Sequence, residues 1–456
     1  MKRAVVLVVA LLVSAFSGVF TMKHTAVAST GQTENTWETL QPMPTARSWL
    51  GVAVVNGKIY AIGGRGEGQA GAELNVNEMY DPATDTWTTK QSMPTPRSDF
   101  GIATYQNMIY CIGGITTEPG HTAANEVYDP ATDSWSQLTS MPTAKYGSRA
   151  NVVDGKIFMI GGRANDVTID LNEVYDIASD TWTRKEPIPM PILAYASAVV
   201  DGKIYVFGGY GPNPEYSVWF KSTQIYDPAL DSWSNGAQTP YTITYAAAGA
   251  TTGTYAPKRI YVLGKLQEEL VAVGTFVYDP QENSWSNGSS MPTLRDSVSI
   301  AVLDDVLYVI GGNIVEYLPV SVKVRLAVNE RYTPFGYETV PPKALISSPQ
   351  NNQNYNSSSI PLTFALGKPA ESLSYSLDGG DKVAIAGNTT LTGLANGSHS
   401  IVVYATDESG NVGDSETITF SVDTPEPFPT TLFIAAVLVA VVVCAGLLLY
   451  FKRRKR

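Results

Sequence analysis

Side chains that could do chemistry are few in this chain, and they are scattered. The three histidines, His24, His121 and His399, are far apart in sequence. A metal site needs several ligands converging on one ion, so each reads as a surface or structural residue. Aspartates recur in pairs, Asp81 with Asp85 and Asp129 with Asp133. Paired carboxylates can hold calcium, but these return at fixed turn positions, where capping and turn hydrogen bonds account for them. Cys111 lies in an apolar strand and Cys444 in an apolar run, so no disulfide within a domain is expected. No nucleophile elbow, phosphate loop or metal-ligand spacing appears, and no cofactor is expected. Two groups remain. Arg47, Arg97, Lys145 and Arg295 share one position of a repeated text. Cations brought together can hold a carboxylate through charge-assisted hydrogen bonds, or brace neighbouring repeats through salt bridges. Tyr210, Tyr216, Trp219 and Phe220 crowd one proline-bearing loop. Exposed aromatic faces suit sugar rings or a protein partner, although packing under the loop is the competing use.

The repeated text must position these residues. From Lys58 an apolar strand ends in Gly63-Gly64, and Asn77 to Pro82 and Trp87 follow. The pattern returns after Ile109, Ile157 and Ile204, then after Ile260 with Lys265 for the second glycine, and after Leu307 with no tryptophan following. Tryptophans at 37, 87, 135, 182, 233 and 285 step by 47 to 52 residues. Asn56-Gly57, Asp154-Gly155 and Asp201-Gly202 between apolar runs mark two-residue hairpin turns. This text resembles the kelch repeat over roughly residues 36–334. The resemblance implies an all-β fold in which each repeat is a four-stranded propeller blade. We expect six blades over residues 33–336. Thr36 to Leu40 would complete the sixth and supply its missing tryptophan, Trp37, hiding a sheet edge.

The resemblance also implies a site. Kelch propellers that dock peptides use the starts of the inner strands and the loops after the glycine pair. Matching positions are Arg47, Ser48 and Trp49; Arg97, Ser98 and Asp99; Lys145 and Tyr146; Tyr195; Tyr245; Arg295; and, after the glycines, Arg65, Arg163, Tyr210 and Asn313. Trp219 joins them from the fourth-blade loop. The four shared cations are then expected to ring one mouth of the channel. Copper oxidases of the kelch type need two histidine ligands, and this propeller has one histidine. Metal-free sugar epimerases resembling N-acetylneuraminate epimerase remain an alternative.

Around the propeller the text changes. Residues 1–28 read as a signal peptide, with Lys2-Arg3, an apolar core and Ala26-Val27-Ala28. After Pro341-Pro342, residues 341–423 read as a small antiparallel sandwich resembling immunoglobulin-like modules of prokaryotic surface proteins. Residues 424–430 are a stiff proline-rich joint. Residues 431–451 are uncharged and long enough to span a bilayer, and 452–456 are all basic, a cytoplasmic end by the positive-inside rule. The last three features together resemble sorting signals of prokaryotic, particularly archaeal, surface proteins. Asn287, Asn356, Asn388 and Asn396 head glycosylation sequons. Formal net charge is -11 with no basic stripe, which argues against nucleic acid. The expected function is recognition outside the cell, of a protein or glycan partner, by a membrane-anchored chain. A structural envelope role is the blander alternative.

Overall fold

The computed structural model describes residues 34–67, 72–118, 120–212, 218–266, 273–316, 322–425 and 430–454. The signal-peptide expectation lies outside the described residues, as do Tyr216, Lys455 and Arg456.

Each repeat forms one four-stranded antiparallel sheet, six in all. In blade 1 the strands are Gly51–Val55, Lys58–Ile62, Asn77–Asp81 and Thr86–Lys90. The first turn is Asn56-Gly57, with φ of 49° and 71°, the double left-handed conformation a tight hairpin requires. The inner strands Gly51–Val55, Gly101–Tyr105, Arg149–Val153, Ala196–Val200, Ile243–Ala250 and Ser299–Leu303 neighbour one another in sequence, and the last lies beside the first. In blade 6, Thr36–Leu40 pairs antiparallel with Asn329–Thr333, with Trp37 opposite Tyr332.

The double glycines are a contact between blades. Gly64 donates its N–H to the Arg97 carbonyl of the next blade at 2.9 Å, and Gly114 does the same to Lys145 at 2.9 Å. A Cβ on Gly63 would stand 2.7 Å from the Arg97 carbonyl oxygen, too close for any other residue. Blade 5, with Lys265 in place of the second glycine, differs here. Its strands Ile260–Leu266 and Val273–Asp279 each run to seven residues.

The repeated Tyr, Asp and Trp form a clamp. The Tyr80 hydroxyl donates to Asp85 Oδ1 at 2.7 Å, and the same oxygen accepts the Gln41 N–H at 2.9 Å. Trp87 Nε1 donates to the Gln41 carbonyl at 2.9 Å, so one blade grips both backbone groups of one residue in the blade before it. Gln91 is held likewise by Asp133 and Trp135, Thr139 by Asp180 and Trp182, Glu186 by Asp231 and Trp233, and Ala237 by Asn283 and Trp285. The sixth clamp comes from the start of the described chain: Asn35 Oδ1 accepts from Ser289 N–H and the Tyr332 hydroxyl, and Trp37 Nε1 donates to the Ser289 carbonyl. The Asp pairs therefore act in turns and clamps, and no group of three metal-ligating side chains occurs among the described residues. Tyr128→Phe removes a bond to the charged Asp133 carboxylate. It is expected to cost about 1.5–3 kcal/mol in chemical denaturation, with unchanged circular dichroism.

Residues 344–422 form two sheets around one core, which holds Leu362, Leu391, Ile401, Val403 and Phe420. The expectation of a wholly antiparallel sandwich needs correction, because Gln353–Tyr355 pairs parallel with Ile418–Val422. Parallel neighbours need a long crossover, and almost the whole domain lies between these two strands. His399 sits in this domain with Nδ1 at 2.7 Å from Asp378 and Nε2 at 2.8 Å from the Ala395 carbonyl. Two acceptors favour the doubly protonated ring, so the Ala395 carbonyl and then Asp378 raise its pKa above the ordinary 6.5. The folded state thus binds this proton more tightly than the unfolded chain. The resulting stability is complete below the ordinary value and is lost as pH rises through the folded one. Melting of the sandwich at about pH 5 and about pH 8 should show this loss, and His399→Asn should flatten it.

The sandwich packs on the hairpin-turn end of the propeller. Asn411 Nδ2 donates to the Glu338 carbonyl at 2.7 Å, and Lys368 Nζ lies 5.9 Å from the Tyr255 ring centroid. Tyr255 belongs to the loop that follows the inner strand Ile243–Ala250. The starts of the inner strands are at the opposite end. The last element is the helix Thr430–Arg454. Its side chains are described from Val437 onward, a piece that ends in three basic residues. Among the described residues no helix is long and apolar enough to cross a membrane.

Candidate functional site: the mouth of the propeller axis

The four shared cations do not line the mouth, which corrects the expectation for Arg47, Arg97, Lys145 and Arg295. All are 0–1% exposed. Arg47 Nη2 pairs with Glu78 at 2.7 Å, and its guanidinium donates to the carbonyls of Ala61, Gly63 and Val76, each at 3.0 Å. The planar fork of donors thus spans three backbone carbonyls beside the glycine pair, one of which, that of Val76, also accepts the Gly63 N–H at 2.8 Å. Arg97 pairs with Glu126 at 2.5 Å, Lys145 with Glu173 at 3.1 Å and Arg295 with Glu330 at 2.5 Å. The threonine of each Met-Pro-Thr segment completes the set, as Thr45 does by donating to Glu78 at 2.7 Å. Burial pushes Arg47 down to about 10 and Lys145 down to about 8, against the pull of Glu78 and Glu173.

Two blades lack this brace, and they lack both halves of it. The carbonyl contacted by the second glycine belongs to Ile192 in blade 4 and Ile243 in blade 5. Opposite them, Gln224 and Phe276 replace the glutamate, and all four residues are 0–3% exposed. Cation and carboxylate are present together or absent together, as expected where either one alone would be a buried, uncompensated charge.

Two residues beyond each cation lies the collar of the mouth: Trp49, Asp99, Gly147, Ala194, Tyr245 and Ser297. All have φ between 49° and 71°, the left-handed region, although only Gly147 is glycine. Their backbones bond to one another around the axis. Trp49 N–H donates to Ser297 O, Asp99 to Trp49, Gly147 to Asp99, Tyr245 to Ala194 and Ser297 to Tyr245, at 2.9–3.3 Å. Strained backbone held in this way is characteristic of ligand-facing structure. Inside the collar is a cavity of about 160 Å³ lined by Trp49, Asp99, Arg149, Ser197, Tyr245 and Ser297, with Leu50, Phe100 and small inner-strand residues below. Arg149 Nη1 pairs with Asp99 Oδ1 at 3.0 Å.

Other expected site residues divide. Tyr195 is 0% exposed; its hydroxyl donates to Ile160 O at 2.5 Å and accepts the Arg149 N–H at 3.0 Å, so it is a buried brace, and burial lifts its pKa to about 12. Asn313, 2% exposed, donates to Asp296 at 2.7 Å and is likewise internal. Arg65, Arg163 and Tyr210 form isolated β-bridges to Ser48, Tyr146 and Leu193 respectively, and Arg65 a second one to Glu73, which places them just outside the collar. Tyr210 meets Tyr245 edge-on at 6.3 Å, and it pairs across a short ribbon with Trp219, which is 49% exposed. Sequence reasoning missed Arg149, Ser197 and Ser297. Ser297 was findable, because it stands two residues after Arg295 as Trp49 does after Arg47. Arg149 and Ser197 sit on the inner strands Arg149–Val153 and Ala196–Val200, each at a place where the other blades carry a different residue.

The strand order, glycine contact and clamp define a kelch-type propeller. The family model described as the KLHDC2/KLHL20/DRC7 Kelch-repeats domain matches residues 19–162 and 101–312, and the chain belongs to that family. It is similar to Kelch-like protein 35 of Mus musculus, 30% identical over 93 residues, which is 20% of this chain and 15% of that protein. It is also similar to Halomucin of Haloquadratum walsbyi (strain DSM 16790 / HBSQ001), 31% identical over 101 residues, which is 21% of this chain and 1% of that protein. The matches thus span small parts of both relatives.

Proposed function

We propose that this chain is a recognition protein, fixed in a membrane by its C-terminal helix, that binds a surface protein or glycan outside the cell through the collar face. The observation that carries this reading is the opposition of collar and sandwich. The sandwich packs on the turn end of the propeller, so a tether leaving it near Thr424 directs the collar away from the anchor. The uncharged run from Thr431 to Phe451 starts before the described helix side chains, and at the rise of an α-helix it covers about 30 Å, the thickness of a bilayer core. The sandwich serves as an immunoglobulin-like spacer, and a signal peptide over residues 1–28 delivers the chain. The sequon asparagines Asn287, Asn356, Asn388 and Asn396 are all exposed. A carbohydrate enzyme in the channel would need converging acids or imidazoles. The described cavity lining has Asp99 as its one carboxylate, held by Arg149, and no histidine.

Two measurements test the reading. Deleting residues 431–456 should move the protein from carbonate-washed membranes to the medium or soluble fraction. Ligands selected on the full chain from displayed-peptide and glycan libraries should lose at least tenfold in affinity to an Arg163→Ala, Trp219→Ala double variant. Unchanged affinity for every selected ligand would remove the collar as the binding face.

A further inference from the structure

We propose that the axial cavity inside the collar takes one ring of a neutral saccharide; this rests on the recognition reading and gives its ligand a chemical class. Three features of the cavity point to it. First, the polar part of its wall is a charge-neutral pair. Asp99 and Arg149 stand 3.0 Å apart with side chains 17% and 27% exposed, so an acceptor and donors lie side by side within reach of solvent. A charged ligand meets one attractive and one repulsive partner there, which largely cancel. A vicinal diol does better, because each hydroxyl both donates and accepts and can serve carboxylate and guanidinium together. Ser197 adds a hydroxyl in the lining that has no partner.

Second, aromatic rings flank this pair. Trp49 and Tyr245 lie in the lining, and Tyr210 abuts Tyr245. Such faces cover the C–H face of a sugar ring while its hydroxyls bond at the edge. The cavity, about 160 Å³, has room for about five water molecules, which one ring could displace. Third, the collar offers little to a peptide backbone. An extended peptide gains affinity by adding main-chain hydrogen bonds. Here five collar N–H groups and five collar carbonyls already serve one another. The ligand must be read by side chains, and those present suit hydroxyls.

The test uses the full chain in detergent micelles on an array of neutral hexose and N-acetylhexosamine oligosaccharides, with a displayed-peptide library alongside. The expected result is binding to a subset of the neutral glycans, reduced at least tenfold by Asp99→Asn. Should Asp99→Asn unfold the propeller, Ser197→Leu fills the cavity without touching the ion pair and is expected to give the same loss. Glycan binding that survives both variants overturns the proposal, as does an array with no neutral glycan bound. If peptides alone bind and lose affinity in the Arg163→Ala, Trp219→Ala variant, the saccharide inference falls and the recognition reading stands. If neither class responds to any of these variants, both fall.

Discussion

Glu126→Ala is expected to destabilise the propeller by about 3–5 kcal/mol, because it strands the Arg97 guanidinium, 0% exposed, without its carboxylate. The informative companion is Arg97→Ile with Glu126→Gln. That pair reproduces the arrangement the chain itself uses in blade 4, where Ile192 and Gln224 occupy the same two places. It should recover most of the loss, to within about 1.5 kcal/mol of the parent, since a well-packed apolar replacement of a buried ion pair is often near neutral. Urea denaturation followed by tryptophan fluorescence measures both. If the double variant were as unstable as Glu126→Ala, the guanidinium's bonds to the Cys111 and Ala124 carbonyls, at 3.2 and 3.1 Å, would be the dominant contribution instead of the charge pair.

Removing residues 34–40 should have the largest effect of all. It takes away the strand paired with Asn329–Thr333, the Trp37 and Asn35 clamp on Ser289, and the Glu38–Arg331 pair at 2.6 Å. Blade 6 would then present an unpaired edge. The expected loss is about 5 kcal/mol or more, comparable to the whole stability of many domains, so the variant should aggregate or melt without a cooperative propeller transition. A cooperative transition at the parental temperature would show that the ring does not depend on this strand. A milder chemical signature accompanies both variants. Burial lifts the Cys111 thiol to about 12, so it should resist alkylation at mildly basic pH in the parent and react once its blade opens.

Much of this architecture was legible in advance because each blade repeats the same physical task. Asn56-Gly57, the glycine pair and the Tyr–Asp–Trp spacing each mark a turn or contact that few other residues permit. Even the Trp37 closure followed, because the sixth copy lacked one member of a set seen five times. The mouth was less legible. Arg47 and its counterparts were correctly grouped by position, yet their side chains turn inward to glutamates that lie 28 to 35 residues later in sequence. A repeat shows that positions are equivalent but not which way a long side chain points. The partner glutamate was the missing signal: the Asn-Glu that opens the third strand of four blades gives way to Thr-Gln in blade 4, where the cation is also absent. Arg149 and Ser197 escaped notice because each occurs once, and the collar conformation cannot be foreseen in residues such as Trp49 and Tyr245, which rarely adopt positive φ.

Photocrosslinking in cells that express the full chain tests the account most directly. A benzophenone amino acid would replace Trp219 beside the collar in one variant and Leu230, 73% exposed on a different turn of the same blade, in another. The account predicts covalent adducts with an external partner from position 219 and none from 230. Adducts from 230 alone, or equally from both, would contradict a binding face at the collar.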